Sequence, residues 1–124
     1  MYRSIVATFF VAMATSAVAH DMTPTYPEWY PSHIQGVVKT PMQIFNKRSD
    51  VEHYEISVTD KDGNPVHFVS AYKLAHIKYL QRLKFDIYIN SDDVPRAQYI
   101  CSRSKLKGEG TATLLSSKIC SKIR

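Results

Sequence analysis

The chain has 124 residues, 44% of them hydrophobic and 22% charged, with a formal net charge of +5. That length holds one domain, and five Phe, eight Tyr and one Trp are enough to build a core, which excludes a disordered chain. Two Cys are too few for a four-Cys zinc site or a disulfide-scaffold toxin.

Residues 1–19 read as a secretory signal peptide. Arg3 gives the positive n-region, Ile5 to Ala14 a short apolar core, and Ala17-Val18-Ala19 a small-x-small cleavage site. The apolar core is too short for a membrane span, which needs about 20 residues. No other stretch is apolar enough, so no transmembrane span is expected in the mature chain. Export, to the periplasm or beyond the cell, places Cys101 and Cys120 in an oxidising compartment, where two thiols usually pair. A hairpin turning at Gly108-Glu109-Gly110 would set them opposite each other.

Residues 20–35 form a Pro-rich, aromatic arm. Pro24, Pro27 and Pro31 exclude a helix and favour extended backbone. Such an arm docks on its own domain or shows its rings to a ligand. Tyr26, Trp29 and Tyr30 are therefore candidate partner-binding residues.

From Gly36 to the end, residues 36–124 read as one β-sandwich domain with period-two patterning. Met42 and Ile44 share a face. Asn46 to Asp50 is a polar turn. Tyr54, Ile56 and Val58 alternate with Glu55, Ser57 and Thr59, as in a half-buried strand. Asp60 to Asn64 is a strong turn, and Val66 to Val69 a short strand. Tyr72 to Leu83 reads as strand or helix, its neighbours favouring strand. Phe85, Ile87 and Ile89 alternate with Asp86, Tyr88 and Asn90. Ser91 to Pro95 is a loop with room for one helical turn. Ala97, Tyr99 and Cys101 share a face, and the disulfide-closed hairpin follows. About seven short strands and no long helix predict an all-β, single immunoglobulin-like antiparallel sandwich.

The segment Ala97-Gln98-Tyr99-Ile100-Cys101 resembles the immunoglobulin A-x-Y-x-C corner. No earlier Cys exists, so Cys101 can meet only Cys120. A second resemblance covers residues 36–90. Met42 to Asn46, Tyr54 to Asp60, Asp62 to Pro65 and Lys84 to Ile89 resemble the amino-terminal domain of periplasmic pilus chaperones. That resemblance implies an immunoglobulin-like fold and a protein partner. The family holds its subunit's terminal carboxylate with a basic pair, to which Lys39 is loosely comparable.

The chain has no G-x-S-x-G, H-E-x-x-H, P-loop or G-x-G-x-x-G motif. Asp92 and Asp93 read as a solvated turn, and His53 between Glu52 and Glu55 as a surface His. No catalytic residue is assigned, and the expectation is a non-enzymatic module without a cofactor. Copper is the second possibility. Cleavage after Ala19 would make His20 the first residue, able to hold copper through its amine and Nδ1. His33, His53, His67 or His76 would be the second ligand, and Met22 or Met42 would favour the reduced ion. The carboxy-terminal stretch from Arg96 is basic, with Lys105 and Lys107 as candidate contacts to a partner or an anionic surface. Nucleic acid is not expected, since no aromatic stacking pattern accompanies the charge. The expected function is partner binding by surface contact or by strand addition at a sheet edge.

Overall fold

The computed structural model describes residues 20–106 and 116–124. The expected signal peptide, the expected turn at Gly108-Glu109-Gly110 and Lys107 lie outside the described residues. Two antiparallel sheets pack face to face. The first contains β1 (Asp21–Thr23), β2 (Tyr30–Pro31), β3 (Val37–Phe45) and β6 (Arg82–Asn90). The second runs β5 (Leu74–His76), β4 (Val51–Thr59), β7 (Tyr99–Leu106), β8 (Lys118–Lys122).

Alternation builds the core. β3 buries Thr40, Met42 and Ile44, and β6 buries Phe85, Ile87 and Ile89. Their register places Met42 opposite Phe85 and Thr40 opposite Ile87. From the other sheet, Tyr54, Ile56 and Val58 of β4 and Ile100 of β7 face them. Each large side chain buried there contributes roughly 1.5–3 kcal/mol. A one-residue slip would turn these rows outward, so the register is firmly specified.

The arm is more regular than its prolines suggest. β1 and β2 lie end to end along one edge of β3, with Asp21 opposite Phe45 and Tyr30 opposite Lys39. Pro41 sits in the middle of β3, where a proline would ordinarily break a ladder. Here it falls in the gap between β1 and β2, so its missing N–H leaves no strand unpaired. Between β1 and β2 the arm crosses to the other sheet. The Thr25 and Pro27 carbonyls accept hydrogen bonds from the Lys122 and Arg124 amides at 3.2 and 3.0 Å.

Four further expectations meet the structure. The Asp60 turn is present: Gly63 takes a φ of 84°, and Asp60 Oδ1 accepts from the Asp62 and Asn64 amides. Ser91–Asp93 is a single 3-10 turn capped by Asn90. The expected strand over Val66 to Val69 does not form. Pro65 and Val69 each make one isolated bridge, to Thr59 and Tyr88, because this segment crosses from one sheet to the other. Ala97 is buried, but it precedes β7, whose inward row is Ile100, Ser102 and Ser104.

Candidate functional site

Cys101 and Cys120 are directly opposite in the β7–β8 register and form the expected disulfide, with Cα atoms 4.1 Å apart. It lies on the outer face of the second sheet and ties the last two strands together.

The aromatic candidates are brought into the domain but not into one site. Tyr26 is exposed, with the Arg124 guanidinium 5.9 Å from its ring centre. Tyr30 is exposed on the outer face of the first sheet, beside Lys39. Trp29 turns inward and packs against the core. Lys105 is on the outer face of the second sheet, and its ammonium is 2.6 Å from Glu55. That pairing holds the Glu55 carboxyl below its ordinary range.

His20 is buried. Its Nε2 lies 2.7 Å from Ser102 Oγ and its Nδ1 3.1 Å from Ser117 Oγ. Its ring is 4.5 Å from that of Tyr54. Burial lowers its pKa to about 4, partly countered by the bond to Ser102. Ser104 Oγ accepts from the Ser117 amide at 2.8 Å. The sequence carried one signal for this network, the two serines at inward positions of β7. The other potential copper ligands are dispersed. His53 and His76 stack at 4.8 Å on the outer face of the second sheet. His33 and His67 line an apolar cleft of about 400 Å³ with Ile34 and Val69. Met22 and Met42 are buried in the core. No group of three or more metal-ligating side chains comes together among the described residues.

Sequence reasoning did not single out Asn46. It is wholly buried at the end of β3, and its amide nitrogen donates to the Val51 and Ile77 carbonyls at 2.7 and 2.9 Å. Its side-chain oxygen accepts from the Arg48 amide and the Tyr54 hydroxyl.

The sheet edges differ. The outer side of β3 is covered by the arm, and that of β8 is bonded at Lys122. β5 is three residues long. β6 has nine residues and pairs with β3 along its whole length. Tyr88 exchanges both backbone bonds with Val69, at 2.8 and 2.9 Å, so its N–H and C=O face away from β3. Antiparallel geometry turns every second residue the same way. Arg82, Lys84 and Asp86 thus direct their backbone groups outward, and no other backbone meets them among the described residues.

No family model and no curated protein matches the sequence. The fold does match a solved one, a crystal structure of the periplasmic chaperone SfaE, with a TM-score of 0.54 and 11% identity. The match covers 86% of this chain and 56% of that one, so this chain spans just over half the length of that protein. The molecule is an immunoglobulin-like β-sandwich of the kind found in a periplasmic chaperone.

Proposed function

We propose that this chain is an exported, non-catalytic module that holds a protein partner by adding the partner's extended strand to β6. One observation carries the reading: the outward backbone groups of Arg82, Lys84 and Asp86 form a three-step open ladder on a long, well-anchored strand. An unpaired edge is a template for another chain. Main-chain bonds supply affinity, and the side chains beside them supply selection. Arg82 and Lys84 stand along this edge, which favours a partner segment bearing carboxylates. The chaperone-like fold, the disulfide and the absence of a long apolar helix among the described residues support an exported partner-binding role.

A photo-crosslinker placed at Lys84 in the exporting cell tests this. Cross-linking to a defined protein is expected from position 84 and not from a control at Arg103, on the opposite sheet. Lys84→Pro removes an outward N–H without touching the β3 ladder, and should abolish partner binding while the protein stays folded. Equal cross-linking from both positions, or full binding by the Pro variant, would overturn strand addition.

A further inference from the structure

The turn between β5 and β6 is built at the expense of its own conformation. The Gln81 amide donates to the Lys78 carbonyl at 3.0 Å, which makes Tyr79 and Leu80 the central residues. Leu80 has a φ of 61°, the left-handed region that favours glycine. Leu80 is 59% exposed and Tyr79 54%. Two large apolar groups therefore stand in solvent at a turn tip, one of them in a strained backbone. Backbone hydrogen bonds hold the strained turn in place, but neither side chain enters the core.

The tip is rigid. The Leu80 amide donates to the Asn46 carbonyl at 2.7 Å, and the Asn46 amide to the Gln81 carbonyl at 3.0 Å. Asn46 is fixed in turn by its four side-chain bonds.

Charge surrounds the tip asymmetrically. The carboxylates at this end of the sandwich are already engaged: Asp21 with Lys47, Asp50 with Arg48, Glu52 with His76. Lys78 and Arg82 flank the tip with no carboxylate partner among the described residues. The Arg82 guanidinium rests 4.4 Å from the centre of the Phe45 ring. The result is an apolar point inside a cationic collar. Such a point matches the boundary between phosphate headgroups and acyl chains, where Tyr and Leu enter and Lys and Arg stay with the phosphates.

We propose that this end of the sandwich seats on an anionic lipid surface, with Tyr79 and Leu80 entering the interface and Lys78 and Arg82 meeting lipid phosphates. Arg82 also stands at the start of the β6 edge, so the test turns on Lys78, Tyr79 and Leu80, which lie outside that strand.

The test is co-sedimentation of the purified full-length mature protein with vesicles of phosphatidylcholine alone and of phosphatidylcholine with phosphatidylglycerol at about two to one. Binding is expected only to the anionic vesicles, and most of it should be lost when NaCl rises from about 50 to about 300 mM. Leu80→Gly should weaken binding about tenfold while leaving the melting temperature unchanged or raised, since glycine relieves the turn. Lys78→Glu should weaken it further. A Tyr79→Trp reporter should shift its emission to the blue on anionic vesicles. Equal affinity for both vesicle types, no sedimentation, or wild-type binding by the well-folded Leu80→Gly chain would overturn the proposal. Binding to a soluble acidic polypeptide in place of vesicles would replace the lipid with a protein partner and overturn it as well.

Discussion

At the scale of single residues, His20 and Asn46 do what no apolar side chain could do in their places. Asn46 satisfies two carbonyls, an amide and a hydroxyl in an otherwise dry end of the core. Asn46→Ala strands all four and should cost about 3 kcal/mol in denaturant unfolding. His20 must be neutral to stay buried. Its pKa is about 4 in the folded chain, against about 6.5 unfolded, so the unfolded state takes up the proton first as pH falls. Its stabilising contribution is complete above pH 6.5 and is lost progressively toward pH 4, to a total of roughly 3 kcal/mol. The paired Asp50 and Glu55 carboxylates add their own acid sensitivity at lower pH. Unfolding curves for the wild type and His20→Ala between pH 7 and pH 4 separate the two. The difference between the chains should shrink as pH falls. A constant difference would show that His20 does not titrate as described.

At the scale of elements, legibility followed periodicity. Tyr54, Ile56 and Val58, like Phe85, Ile87 and Ile89, alternate cleanly because one face of each strand meets the core and the other meets water. β7 was harder to read. Its inward row includes Ser102 and Ser104, polar residues that are inside because His20 and Ser117 are their partners. Neither pairing leaves a local pattern, that of Ser102 with His20 being made across more than eighty residues of chain. β1 and β2 were hidden for another reason. The arm's prolines suit any extended backbone, and only the gap opposite Pro41 shows how the two strands share one neighbour. Leu80 ran against its turn type, where Gly or Asn is usual, so the tip was invisible as a turn. The open edge of β6 follows from pairing alone. Amides of Arg82, Lys84 and Asp86 should exchange with solvent far faster than those of Leu83, Phe85 and Ile87, as hydrogen exchange read residue by residue will show. Uniform protection along β6 would mean that its outer side is covered.

At the scale of the whole molecule, the fold class was legible because strand spacing and turn chemistry agree from Gly36 onward. The proposed function was less so, because an edge is a property of what fails to pair with it. The disulfide closes a short loop between the two last strands. In the chain-entropy view its reduction should lower stability by about 3 kcal/mol. Unfolding with and without reductant measures this, and the Cys101→Ser, Cys120→Ser double variant should match the reduced protein.

The crossing of the arm has a consequence for the order of events in assembly. Thr25 and Pro27 are held by the amides of Lys122 and Arg124, at the far end of the sequence. These carbonyls stay unmatched until two segments nearly a hundred residues apart have met. Closing so long a loop is entropically slow, and contacts of this separation form late. The seam between the two sheets is thus sealed late, after the local turns and hairpins on either side of it have formed.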